Sequence, residues 1–110
     1  MKNFVQPGDV VTLTAPTGGL QSGDGVVIGA LFGVAAYDAS EGADVECRVV
    51  GVFDLPKASG AIDEGEAVYW DESAGNVTTT ATDNVLIGAA IRAADSGGAT
   101  ARVRLNGVAT

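Results

Sequence analysis

Apolar and polar residues alternate along most of this chain, and the alternation has the two-residue period of β-strands. VVTLTA, Val10 to Ala15, is β-branched and alternating. VVIGALFGVAA, Val26 to Ala36, is apolar on both faces and marked by glycines, so it is expected to bend or break near Gly29 or Gly33. VECRVVGVFDL follows as one strand-like run from Val45 to Leu55. AVYWDES and NVTTT flank Ala74 and Gly75 and read as a hairpin; VLIGAAIRAA and TARVRLNG flank DSGG, Asp95 to Gly98, and read as another. No window sustains a 3.6-residue period, although the alanine-rich segments leave room for one short helix. The pattern predicts an all-β fold, a small β-barrel or β-sandwich.

The two halves of the chain resemble each other. PGDVVTL matches EGEAVYW with Gly8 on Gly65 and Leu13 on Trp70, an offset of 57 residues. VIGALFGVA matches LIGAAIRAA with Ile28 on Ile87, an offset of 59, and ADVECRVVGV matches ATARVRLNGV with Gly51 on Gly107, an offset of 56. The expected organisation is a single β domain over residues 1–110. It comprises an N-terminal arm (1–6), a first repeat unit (7–53), a polar link (54–63) and a second repeat unit (64–108). The two units are expected to be related by a pseudo-twofold axis.

Composition narrows the function. Six basic against fourteen acidic residues give a formal charge of −8, and such a surface repels phosphate backbones, so no direct nucleic-acid partner is expected. No apolar run approaches the ~20 residues that span a bilayer as a helix, and MKNFVQPGD lacks the apolar core of a secretory signal, so no membrane partner is expected either. A hydrophobic fraction of 46%, mostly alanine and valine, points to small apolar surfaces, some of them between chains.

Candidate chemistry is sparse. GGLQSGDG, Gly18 to Gly25, has the glycine spacing of a phosphate loop, but Asp24 and Gly25 stand where the lysine and hydroxyl residue belong, so it reads as a turn, a short strand and a second turn. The chain has no histidine, which removes serine and cysteine–histidine catalysis and most zinc sites in their usual forms. Cys47, the one cysteine, alternates with Val45 and Val49 and reads as an inward core residue without reactivity. Asp63, Glu64, Glu66, Asp71 and Glu72 read as solvated acids; a calcium site is the minority reading, without the spacing of a calcium loop, and no cofactor is expected. Trp70 is expected in the core, leaving Tyr69 outward and available to a partner. Arg48 and Arg104 are expected outward on their strands. In the arm, Phe4 and Val5 precede the Pro7–Gly8 break, and such an apolar pair either adds an edge strand to its own sheet or adds itself to a neighbour's sheet edge or fills a groove there.

MKNFVQPGDVVTLTAPTGG, VxxGVFDLPK, AVYWD and VTTTATDNVLIGAAIRAADSGGATARVRLNG together resemble one family over essentially the whole chain. It consists of phage and prophage capsid cement, or head-decoration, proteins. Some members carry a label linking them to RecA/RadA recombinases, for which this chain lacks the lysine, the magnesium ligand and the α/β alternation. The resemblance implies a non-enzymatic protein on the outer surface of the virion capsid, made in the bacterial host cytoplasm. Its implied partners are the major capsid protein and further copies of itself, with a homo-oligomer, specifically a trimer, favoured. Met1, Lys2, Asn3, Phe4, Val5 and Tyr69 are the expected capsid or subunit contacts. The alternative reading is a particle-displayed module that binds glycans or host surfaces, with Tyr69 as its first contact; a carboxylate-dependent hydrolase is a further rival and needs two close, buried acids.

Overall fold

The computed structural model describes residues 3–5 and 8–108. Among them lie nine strands and no helix: β1 (Val10–Thr14), β2 (Gly25–Ile28), β3 (Leu31–Ala35), β4 (Asp44–Arg48), β5 (Val50–Pro56), β6 (Ala67–Asp71), β7 (Asn76–Thr78), β8 (Val85–Ala90) and β9 (Thr100–Asn106). They form two antiparallel sheets, ordered β1-β4-β3-β2 and β5-β9-β8-β6-β7. The protein is all-β, as the alternation requires, and fits the barrel or sandwich class. In the second sheet a parallel bridge between Lys57 and Val77, with the Ala58 N–H donating to the Val77 carbonyl at 2.8 Å, ties the end of β5 to β7 and curls the sheet.

The long apolar run breaks at the first of its two candidate glycines, Gly29, while Gly33 lies within β3. Ile28 pairs with Leu31, so Gly29 and Ala30 form the turn between β2 and β3. The run from Val45 to Leu55, by contrast, is two strands rather than one. Val49 ends the pairing in the first sheet, and the chain enters the second sheet one residue later, because Val45 and Cys47 fill one core and Leu55 another.

The polar link expected over 54–63 is built into the second sheet instead. Asp54, Leu55 and Pro56 pair with Arg102, Ala101 and Thr100 of β9, and Ile62 is buried and bridged to Ala94. Lys57 is buried too, and its ammonium donates to the carbonyls of Ala58 (2.9 Å) and Ser96 (3.4 Å).

Strand pairing also sets how the two halves correspond. Thr12 faces Glu46 and Leu13 faces Val45, while Asp54 faces Arg102 and Leu55 faces Ala101. Leu20 exchanges backbone hydrogen bonds with Ala39 as Ile62 does with Ala94, and Gly23 donates to Ala35 as Gly65 does to Ala90. Even the turn caps repeat: Asp24 accepts from the Gln21 N–H and Glu66 from the Asp63 N–H. Equivalent positions therefore lie 42 residues apart along this stretch (Leu20 and Ile62), not the 57 expected from Gly8 and Gly65. Beyond an insertion of residues 72–84, which carries β7, they lie 55 apart (Ala35 and Ala90), and 56 apart for Arg48 and Arg104, the offset expected for that last segment. The 57-residue match paired glycine turns of the same kind at the starts of different strands. The hydrogen bonds place SGDGVV against EGEAVY.

Each sheet has its own core. Ala15, Val26, Ala35, Val45 and Cys47 fill the smaller one in the first sheet. The larger one collects Leu55, Ile62, Val68, Trp70, Ile87, Val103 and Leu105 from the second sheet, and it also takes Phe32 and Val34 from β3. Alternation along β3 thus feeds both cores, with Ala35 on one side and Phe32 and Val34 on the other. Phe32 and Trp70 meet with ring centroids 5.1 Å apart and planes tilted by 48°, a favoured aromatic geometry that locks one sheet to the other.

Candidate interaction surface

Among the described residues, the titratable side chains that find partners serve turns, loops and strand pairs. Cys47 is fully buried, its thiol pushed up by burial, and Val103 holds the equivalent place in the second sheet. Burial without a cation removes the thiolate that nucleophilic chemistry needs. Several acids hold backbone N–H groups of turns and loops. Asp71 accepts from the N–H groups of Ser73 (3.0 Å) and Ala74 (3.1 Å), Asp38 from Ser22 (2.8 Å) and Glu41 from Gly18 (3.1 Å). Among the described residues, no group of three or more acids and thiols lies together in a way that could hold a metal ion. The Gly18–Gly25 stretch opens a strand, β2, and not the helix a phosphate loop requires.

What the molecule offers is surface. On β9, Ala101, Val103 and Leu105 point inward, which turns Thr100, Arg102 and Arg104 outward. Arg102 makes a two-pronged contact with Asp54 on β5, at 3.0 and 3.3 Å. That guanidinium, with Arg92 nearby, holds the Asp54 carboxyl below the usual carboxylate range. Both groups are well exposed, so the pair adds little stability. Beside it a groove of about 520 Å³ runs over β6, β8 and β9, lined by Ala67, Leu86, Ala89, Ile91 and Arg104. Small side chains make it shallow and apolar. This groove was missed in the sequence reading, although VLIGAAIRAA is apolar at successive positions and so cannot bury all of them on one face.

Of the expected contact residues, Asn3, Phe4 and Val5 are exposed, belong to no strand and lie apart from this groove's lining. Val5 has 88% of its surface accessible, so an apolar pair is held in solvent without cover from its own sheets. Met1 and Lys2 lie outside the described residues. Tyr69 is half-buried, paired with Thr78 on β7 and Leu86 on β8, next to a bulge between Val68 and Tyr69. Arg48 and Arg104 are exposed on their strands, as expected, and Trp70 is in the core.

These features define a class: a small all-β protein in which two fused sheets carry exposed apolar and arginine-lined surfaces. The family model for phage cement proteins matches residues 5–105, and the chain belongs to that family. Membership implies association with the phage capsid, a place in the virion and a structural role. No curated protein and no solved structure matches it.

Proposed function

We propose that this chain is a non-enzymatic cement protein that binds the outer surface of the phage head and stabilises it by bridging subunits of the major capsid protein. The observation that carries the reading is the family match over nearly the whole chain, 5–105, in a molecule whose single thiol is buried in the core. Cementing needs many modest contacts repeated over a closed shell, and repetition multiplies weak affinities. A turn-rich β protein with short side chains loses little conformational freedom on docking. Copies associate with one another on the shell, as a trimer, and the arm from Met1 to Val5 orders against a capsid subunit, where Phe4 and Val5 find apolar cover. Synthesis takes place in the bacterial host cytoplasm.

The glycan-binding alternative draws less support, because Tyr69 is half-buried in its sheet and stacking platforms use several aromatics on one face. Co-sedimentation with expanded heads tests the proposal. The full chain is expected to saturate the heads and raise their resistance to heat and osmotic shock, and deletion of residues 1–6 is expected to lower occupancy. Heads that gain no resistance from bound protein would end the cement reading; unchanged occupancy after the deletion would remove the arm from it.

A further inference from the structure

The two halves share a register but differ in what covers them. In the second half Leu55, Ile62 and Trp70 are buried. Their counterparts 42 residues earlier, Leu13, Leu20 and Ile28, are only half-buried. The cause lies inside the chain. Phe32 and Val34 on β3, with Val27 beside them on β2, cap the second half's core, and a side chain on Gly25 would run into the Trp70 ring. In the second half Ala67 and Tyr69 on β6 stand where Gly25 and Val27 do, and their pairing partners on β8, Ala89 and Leu86, stand where Val34 and Phe32 do, the register being shifted by the bulge beside Tyr69. Ala67, Leu86 and Ala89 of that face line the 520 Å³ groove. One half therefore has an open core mouth, and the other has an open capping face.

We infer that a second copy of this chain fills both openings, the Ala67–Leu86–Ala89 face of one copy docking on Leu13, Leu20 and Ile28 of the next. The contact repeats between chains the one made within the chain. Side-chain sizes compensate: inside the chain Gly25 meets Trp70, and between chains the larger Ala67 meets the smaller Ile28 at the same two positions. Charge sets the two faces apart. Residues 3–47 carry six carboxylates and no lysine or arginine, with Arg48 next at the end of β4. The groove is edged by one charge of each sign, Arg104 and Glu64. An acidic mouth therefore meets a nearly neutral apolar face rather than a second acidic mouth, which sets the direction of docking. Because different faces meet, the contact is head-to-tail and produces a closed ring if its rotation closes. The inference rests on the self-association in the proposed function and adds which faces meet.

Single-cysteine pairing tests it, since Cys47 is buried and silent. A chain carrying Ala67→Cys mixed with one carrying Ile28→Cys is expected to yield a covalent dimer on mild oxidation. The control mixture of Ala67→Cys with Thr12→Cys, on the outer face of β1, is expected to yield none. Light scattering of the unaltered chain is expected to give a multiple of 10.9 kDa, and Ala67→Glu, at an exposed site, is expected to return it to 10.9 kDa with an unchanged circular-dichroism spectrum and a lower melting temperature, since association stabilises the folded chain. A monomer at hundreds of micromolar, or cross-linking no better than the control, overturns the inference. Head binding is scored separately. An oligomer that responds to Ala67→Glu but ignores heads upholds this contact and defeats the cement reading. A monomer that binds heads defeats the contact and leaves that reading standing.

Discussion

The first sheet with its core and the second with its own are built on one register, yet they are unequal. Where the first has Ile28 the second has Trp70, and where the first turns back at Gly29 and Ala30 the second extends through the β6–β7 hairpin. The hairpin supplies Val77, fully buried, and the bridge to Lys57 that curls the second sheet. The second core gains a further cover because β3 lends it Phe32 and Val34. The same strand pattern thus gives one closed core and one that closes only partly, and the difference comes from an insertion and from which half caps the other. Burial at a given strand position is a property of its neighbours as much as of its residue.

That asymmetry is open to measurement. Trp70→Ala is expected to cost about 3–5 kcal/mol in urea unfolding, because it empties the joint between the sheets, whereas Ile28→Ala at the equivalent place costs about 1–2 kcal/mol. Equal losses would dissolve the distinction between the cores. Next come the equivalent glycines of β8 and β3. A Cβ at Gly88 would fall on the Arg104 carbonyl, backbone that cannot swing aside, while one at Gly33 would press mainly on the Cys47 side chain. Gly88→Ala is expected to lose about 3 kcal/mol and Gly33→Ala less, with thermal unfolding as the measurement.

Cys47→Val imports the residue that Val103 already is, and is expected to change stability by less than about 1.5 kcal/mol. In the unaltered chain a thiol reagent should reach Cys47 only as fast as the protein unfolds; rapid labelling of the folded chain contradicts the burial. The smallest effect is expected at Asp54. Its carboxyl titrates lower in the folded chain than in the unfolded one, so the stability it adds is present above its unfolded pKa and drains away as pH falls through the folded value. Asp54→Asn is expected to flatten that acid limb slightly. The equivalent Thr12 faces Glu46 with no charge to pair, so Thr12→Asn should leave the limb unchanged.

Several elements were legible because the information is local. The break at Gly29, the hairpin around Ala74 and Gly75, the inward Cys47 and the outward Arg48 and Arg104 all follow from alternation and turn chemistry within a few residues. The halves were recognisable as similar, but the alignment of their starts slipped from 42 residues to 57, because PGD, SGD and EGE are interchangeable as turns and only hydrogen-bond partners distinguish them. Asp54 to Asp63 read as a link because it is polar and holds Pro56. Tertiary pairing with β9 and the bridge to Ala94 make strand and bridge of it. The groove over Ala67 and Ala89 had no signal in the sequence beyond an excess of apolar positions, since alanines count as surface or as core with equal ease.

By itself, then, the sequence determined an all-β chain, its turns, the direction of most side chains and the family to which it belongs. The tertiary structure alone decided which strands beyond the two hairpins are partners, that Val49 is the crossing point between sheets, and which apolar face is capped and which is left bare. Alternation records only that a side chain points away from its neighbours in the strand. What it points at depends on residues tens of positions distant, brought there by the fold.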